Sequence, residues 1–193
     1  PDTELLVEQL VLIAPDNGYI LDLCTGSGCI AISTLCERPD LRGDAVDISR
    51  PAVQIAGKNA EINGVAPRLR IIEANAENPL LISDLQNYYN RNQIYDIIVS
   101  NPPYIRTSVI ESLSLQVKSE PRIALDGGVD GMRYYRAFLK MYPPLLKKGG
   151  VLLFEIGYDQ AKQIKALAAS YGASGCEIFK DYGGNDRVAK IYF

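Results

Sequence analysis

Histidine is missing from this 193-residue chain, tryptophan is missing too, and methionine occurs only twice. Without histidine there is no Ser-His or Cys-His nucleophile pair, which removes those hydrolase mechanisms. A zinc site would have to be built from thiolates and carboxylates alone. The four cysteines, Cys24, Cys29, Cys36 and Cys176, form no C-x-x-C pair. Three of them fall in one strand–turn–helix stretch, so free thiols are expected rather than a metal cluster or a disulfide framework. No apolar run is long enough to span a bilayer, and no membrane partner is expected. An excess of positive charge is also lacking. The chain carries 20 Lys and Arg against 23 Asp and Glu, a net charge of −3, and its pI is about 5.1. That argues against a protein that grips nucleic acid chiefly by neutralising phosphates. No repeat, low-complexity segment or signal peptide is visible. The chain opens at Pro1 rather than Met and reads as a fragment or a processed form.

What is present has the balance of an ordinary globular chain, 47% hydrophobic and 22% charged. The length suits one domain over residues 1–193. Apolar strand-like runs alternate with helical patterns. Helices are expected from Thr3 to Ala14, Cys29 to Cys36, Ser49 to about Ile62, Arg133 to Leu146 and Asp159 to Tyr171. Ser49 suits the N-cap of its helix, with Pro51 just inside, and Asn63-Gly64 ends it. Strands are expected over Tyr19–Leu23, Gly43–Asp47, Leu69–Glu73, Asp96–Ser100, Val151–Glu155, Cys176–Lys180 and Arg187–Tyr192. Lys147-Lys148-Gly149-Gly150 reads as a helix stop, and Tyr88 to Gln93 as the most loop-like stretch. The alternation predicts an α/β fold, a mostly parallel sheet with helices on both faces and an antiparallel C-terminal hairpin. Such sheets bind ligands outside the carboxyl ends of the strands, near the switch point.

Three short stretches fall at those carboxyl ends. LDLCTGSG (21–28) closes the first strand and opens a helix, and Gly26 and Gly28 let backbone approach a ligand. The pattern is not the G-x-G-x-x-G dinucleotide fingerprint. Asp22, inside the strand end, is placed to tie down the loop's amides. AVDIS (45–49) puts Asp47 about 20 residues beyond the glycine turn, where a carboxylate can take both ribose hydroxyls. A cap or dipole role beside Ser49 is the alternative. Together the two point to a nucleoside cofactor without choosing between NAD and S-adenosylmethionine. IVSNPPYI (98–105) is a stiff turn, because two prolines hold φ near −65° and donate no hydrogen bonds.

The three motifs together resemble class I S-adenosylmethionine-dependent methyltransferases. More narrowly they resemble the HemK/PrmC family, which methylates the side-chain nitrogen of the Gly-Gly-Gln glutamine in peptide-chain release factors. PDTELLVE (1–8), EPRIALDGGVDGMRYYR (120–136), FEIGYDQ (154–160) and NDRV (185–188) extend the likeness over nearly the whole chain. The resemblance implies a Rossmann-like catalytic domain, S-adenosyl-L-methionine as cofactor and no metal. It implies a class 1 release factor as protein substrate, a cytoplasmic location and a monomer. It also implies a small helical domain ahead of the region seen here, which this chain lacks. Cofactor contacts are expected from Cys24, Thr25, Gly26, Ser27 and Gly28, from Asp47, from Asn75 and Ala76, and from Asn101. The family has an acid and then a large residue after the third strand, so Asn75-Ala76 is a departure. Cys24 stands where the family often has glycine, a placement that a negative φ would make tolerable.

The catalytic turn is expected to be Asn101, Pro102, Pro103 and Tyr104. An amide nitrogen is a poor nucleophile, so the enzyme must hold the NH₂, orient its lone pair and exclude water. The Asn101 side-chain oxygen and the Pro102 carbonyl can each accept one N–H, Pro103 adds stiffness, and Tyr104 packs on the flat amide. The same geometry accepts an exocyclic base amine, so a nucleic-acid amine methyltransferase is the alternative function. The E-P-x-x-A-L-D-G-G run and the acidic pI favour the protein substrate, with no direct nucleic-acid contact. A nicotinamide oxidoreductase would leave the Asn-Pro-Pro-Tyr turn unexplained, and a non-catalytic binding module would not need it. Thr3 and Glu4 belong to an entry segment near the site, with capping by Thr3 as the alternative. Glu155 is read either as shaping the substrate pocket or as a buried structural carboxylate. Asp126 to Gly131 reads as a glycine-hinged cover, and Arg187 as half of an ion pair.

Overall fold

A computed structural model describes residues 2–113 and 121–193, so Pro1 and Glu120 of the quoted motifs lie outside the described residues. The chain runs α1 (Asp2–Ile13), β1 (Tyr19–Leu23), α2 (Cys29–Glu37), β2 (Arg42–Asp47), α3 (Arg50–Ile62), β3 (Leu69–Glu73) and α4 (Pro79–Tyr89). It continues through β4 (Tyr95–Ser100), a single helical turn α5 (Thr107–Ile110), α6 (Arg133–Met141), β5 (Leu146–Glu155), α7 (Ala161–Ser170), β6 (Gly175–Lys180) and β7 (Asp186–Tyr192). Seven strands form one sheet in the order β3-β2-β1-β4-β5-β7-β6. The first five are mutually parallel. β7 lies antiparallel to both β5 and β6. The expected mixed α/β sheet with an antiparallel C-terminal hairpin is what the chain forms. The strand order reverses between β1 and β4, which places the switch point there.

The strands are apolar on both sides because both faces are covered. Ile20, Ile97, Val99 and Leu153 pack with Leu6 and Leu10 of α1, Ile30 and Leu35 of α2 and Ala60 of α3. Their sequence neighbours Leu21, Ile98, Leu152 and Phe154 face the other way, onto Leu81 and Leu85 of α4, Phe138 of α6 and Ile164 of α7. The period of two along each strand thus sorts residues between two cores.

Beyond the single turn α5, which sequence reading did not assign, two elements differ from the sequence expectation. The helix from Arg133 stops at Met141 and gives way to a 3₁₀ turn, Pro143–Leu145, before Leu146 already begins β5. Pro143 and Pro144 carry no N–H to continue the helical ladder, although Tyr142 before them still has right-handed helical angles, φ −93° and ψ −21°. Lys147 and Lys148 therefore lie inside the strand, and Lys147 pairs with Asp96 at 2.6 Å. The second is α4, which sequence reading passed over. Asn78 caps it by accepting from the Leu80 amide at 3.1 Å, and Pro79 follows at its start. Leu81 and Leu85, four residues apart, are its buried stripe. Tyr88 and Tyr89 close this helix rather than a loop, and Asn90 ends it at φ 51°.

Candidate functional site

The turn after β1 is built on three left-handed residues, Cys24 (φ 60°), Gly26 (φ 58°) and Gly28 (φ 83°). The Cys24 expectation of a negative φ is corrected here. The chain turns at Cys24 so that the Thr25 amide bonds the Val46 carbonyl of β2 at 3.0 Å. For a residue with a Cβ this conformation costs about 1–2 kcal/mol. The two glycines differ in kind. A Cβ at Gly28 would meet Ile32 Cδ1 at 2.7 Å and Ala56 Cβ at 3.2 Å, so this glycine lets the helices close up. A Cβ at Gly26 would meet nothing within 4 Å, so Gly26 faces open space.

Two carboxylates hold the turn. Asp22 is fully buried. Its Oδ2 accepts from the Thr25 hydroxyl at 2.6 Å and the Ala31 amide at 3.3 Å, so it ties the turn to α2 through a hydroxyl and a helix amide rather than through the loop amides expected of it. Its Oδ1 has no hydrogen-bond partner among the described residues. Burial pushes its pKa up to about 7, against the two hydrogen bonds, with Asp47 adding a smaller push. Asp47 Oδ2 accepts from the Gly26 amide and Oδ1 from the Ser49 amide, each at 2.8 Å. Ser49 in turn accepts from the Ala52 amide at 3.5 Å as the N-cap of α3. Asp47 therefore clamps the glycine turn to the start of α3.

Beside these, Asn75 accepts the Glu77 amide at 2.9 Å in a local turn. Ala76 is 7% exposed, and its carbonyl accepts from the Tyr142 hydroxyl at 2.8 Å. A small residue suffices there because the tyrosine fills the space behind it.

The Asn-Pro-Pro-Tyr turn follows β4, and both prolines are buried. It is held by close backbone packing. A Cβ on Gly127 would lie 2.7 Å from Tyr104 Cα and 2.8 Å from the Pro103 carbonyl oxygen, and one on Gly131 would collide with the Tyr104 carbonyl oxygen. The Ile105 amide donates to Leu125 O at 3.0 Å, and the Gly127 amide donates to Ile105 O at 2.8 Å. Gln160, 2% exposed, donates through Nε2 to Tyr104 O at 3.1 Å and Gly131 O at 3.2 Å, and accepts from the Gly157 amide at 2.8 Å. The Asp126–Gly131 loop is therefore a buttress behind the turn rather than a hinged cover, and its glycines are set by close approach. In front, Asn101 Nδ2 donates to Thr3 Oγ1 at 3.3 Å. Thr3 donates to Glu155 at 2.8 Å, so its hydroxyl goes to the strand edge. Arg187 pairs with Asp181 at 3.2 Å, the ion pair expected of it.

Between the two turns lies a cleft of about 350 Å³. Cys24, Gly26, Ser27, Asp47, Asn75, Ala76, Asn101 and Pro103 stand on its wall, so one space collects residues from the ends of four strands. Thr25, Gly28, Pro102 and Tyr104 are not on that wall. Sequence reading missed Ile48, Ile55 and Ile123, which also line it and are 47%, 50% and 51% exposed. Three large apolar side chains half open to solvent around one largely apolar cleft suit a flat apolar ligand. The signal was available for Ile48, an isoleucine immediately beyond a strand-ending acid. Arg133 and Tyr134 complete the rim, and Arg133 makes a two-pronged pair with Glu77 at 2.9 and 2.7 Å.

Comparison with known proteins places the chain among methyltransferases. The chain is 39% identical to the Release factor glutamine methyltransferase of Agrobacterium fabrum, over 97% of this chain and 64% of that protein. It is 40% identical to the one of Moorella thermoacetica, over 99% of this chain and 65% of that protein. It thus spans a little under two thirds of these relatives' length. Among solved structures, a predicted O-methyltransferase from Agrobacterium tumefaciens superimposes with a TM-score of 0.68 at 15% identity, over all of this chain and 80% of that one. The fold is that of the class I methyltransferases. The model of the methyltransferase small domain matches residues 1–117, which carry the glycine turn, Asp47 and the Asn-Pro-Pro-Tyr turn, and the chain belongs to that family.

Proposed function

We propose that this chain is the catalytic domain of an S-adenosylmethionine-dependent enzyme that methylates N5 of the glutamine in the Gly-Gly-Gln motif of class 1 peptide-chain release factors. The observation that carries the reading is the single cleft shared by Gly26, Asp47 and Asn101. The names of the curated relatives supply the acceptor. On this reading the enzyme acts in the cytoplasm, where translation is terminated.

The residues present fit the cofactor. Gly26 leaves open space against the cleft, Asp47 offers oxygens to a ribose, and Ile48, Ile55 and Ile123 offer apolar wall to an adenine. Asn75 is an amide that can serve the adenine amine. When bound, S-adenosylmethionine supplies a methyl group on a positively charged sulfur. The protein's part is positional. Asn101 Oδ1 and the Pro102 carbonyl accept the two N–H bonds of the substrate amide, fix its plane and turn its lone pair to the cleft. Pro103, wedged by Gly127, keeps those two acceptors at fixed spacing. As the nitrogen gains the methyl group it gives up one proton, which passes to water by way of the carbonyl oxygens that hold its N–H bonds, so the step asks for no histidine.

Transfer of labelled methyl from S-adenosylmethionine to a purified release factor tests the proposal, with the Gly-Gly-Gln glutamine changed to alanine as control. Label that depends on that glutamine is expected. Label on nucleic acid instead, or none on the release factor, would defeat the assignment. Asn101→Ala is expected to lower turnover by about 10²–10³-fold while cofactor affinity stays within a small factor. A parallel loss of cofactor binding would remove Asn101 from the catalytic role.

A further inference from the structure

Thr3, Glu155 and Asn101 meet at the edge of the Asn-Pro-Pro-Tyr turn, although Thr3 and Glu155 are 152 residues apart in sequence. Glu155 ends β5 and is 3% exposed. An ionised carboxylate offers acceptors only. Its Oε2 takes the Thr3 hydroxyl at 2.8 Å, and its Oε1 lies 3.4 Å from the donating Tyr104 hydroxyl. Thr3 has one hydroxyl proton, and that proton is committed to Glu155. Toward Asn101 the Thr3 oxygen can therefore act only as an acceptor. Asn101 meets it with its NH₂, Nδ2 to Oγ1 3.3 Å. A carboxamide is planar, with a donor end and an acceptor end, so pinning one end fixes the other.

We propose that Thr3 and Glu155 are positioning residues that set the direction of the Asn101 amide, so that Oδ1 rather than NH₂ is presented to the acceptor amine. This deepens the methyltransferase reading and rests on it. An inverted Asn101 would set NH₂ against the NH₂ of the substrate, two donors with no acceptor between them. The relay gives the start of α1 a job in the site, and it explains why a buried carboxylate ends β5 beside the turn. Tyr104 contributes by holding the second oxygen of Glu155, which keeps the first aimed at Thr3.

Thr3→Val keeps the shape and removes the acceptor, and Thr3→Ser keeps the acceptor. Glu155→Gln adds an NH₂ that can donate to Thr3, freeing the Thr3 proton to turn toward Asn101. With S-adenosylmethionine and a Gly-Gly-Gln release factor as probes, Thr3→Val and Glu155→Gln are each expected to lower kcat about tenfold. Cofactor Kd and Tm should hold, and Thr3→Ser should recover most of the rate. The double variant should lose no more than the worse single one, because both act through one amide. Nuclear Overhauser contacts between the Asn101 side-chain NH₂ and the Thr3 side chain give a readout that needs no turnover. If the wild type labels the release factor and Thr3→Val matches its kcat, the relay is overturned while the function stands. If the wild type labels nothing, the function fails, and the Overhauser contact decides the relay alone. Its presence keeps the orientation, and its absence overturns it.

Discussion

The two turns that face each other across the cleft are made in opposite ways. The turn after β1 is held by dihedral angles and charge. Cys24, Gly26 and Gly28 all have positive φ, and two carboxylates, Asp22 and Asp47, bind its amides and hydroxyl. Its cleft side is open at Gly26. The turn after β4 is held by ring stiffness and packing. Its prolines are buried, and Gly127, Gly131 and Gln160 press against its backbone from behind. The first suits a charged, extended ligand and can adapt to it. The second has little room to adapt, which suits a pair of acceptors whose spacing decides the chemistry. Electrostatic perturbations should therefore register at the first turn and steric ones at the second.

The largest effect expected is electrostatic. Asp22 titrates near pH 7 in the folded chain and in the ordinary carboxylate range when unfolded. The folded state therefore holds this proton more tightly. Stability from this group is complete below about pH 4 and falls as pH rises through 7, by up to about 4 kcal/mol. Asp22→Asn keeps an acceptor for Thr25 and Ala31 without the charge. Urea unfolding of the ligand-free protein between pH 5 and 8 should show a decline in the wild type that the variant lacks. Parallel profiles would mean that Asp22 is not the buried titrating group. A ligand carrying positive charge should flatten the wild-type profile.

The steric counterpart comes next. Gly26 and Gly131 have similar φ, 58° and 74°, so alanine at either meets comparable backbone strain. Only at Gly131 does the added Cβ strike the Tyr104 carbonyl. Gly131→Ala should cost about 2–4 kcal/mol, strain plus overpacking, and should displace the turn enough to lower turnover about 10²-fold. Gly26→Ala should cost only the strain, about 1–2 kcal/mol. Equal losses in urea would show that the buttress is looser than its contacts imply.

How much of this was open to sequence reading follows the same division. Features governed by local chemistry were legible. The short continuous apolar runs marked the strands, Ser49-Arg50-Pro51 marked the start of α3, and the glycine turn, Asp47 and the Asn-Pro-Pro-Tyr turn were placed at one sheet edge. Features that depend on distant partners were not. Cys24 takes a positive φ at the point where the next amide, that of Thr25, bonds the Val46 carbonyl 21 residues on. The loop of Asp126 to Gly131 looks hinged by composition and is in fact wedged, which only its contact with Tyr104 reveals. Thr3 and Glu155 could each be noticed alone, but their pairing spans almost the whole chain. The α4 helix is a different kind of miss, because its Asn78-Pro79 cap and Leu81–Leu85 spacing were present in the sequence.

Asp47 tests whether clamp and ligand role coincide. Asp47→Ala removes acceptors for the Gly26 and Ser49 amides. Each is a bond to a charged group worth about 1.5–3 kcal/mol. Isothermal titration with S-adenosylmethionine should show affinity reduced about 10–100-fold, with the Asn-Pro-Pro-Tyr turn undisturbed. Unchanged affinity would leave Asp47 as a clamp alone.

The smallest effect isolates the strain in the first turn. Cys24 is half-buried on the cleft wall, and burial pushes its thiol pKa up, so it stays protonated and its loss removes no charge. Cys24→Gly removes the clash of Cβ with the left-handed backbone, at the expense of greater freedom in the unfolded chain. The strain relieved, about 1–2 kcal/mol, exceeds the about 0.5–1 kcal/mol of added entropy. A net gain near 1 kcal/mol in urea unfolding is therefore expected, together with intact cofactor binding. A net loss would mean that the Cys24 side chain contributes more through packing than its backbone gives up in strain, and the first turn would then depend on packing as the second one does.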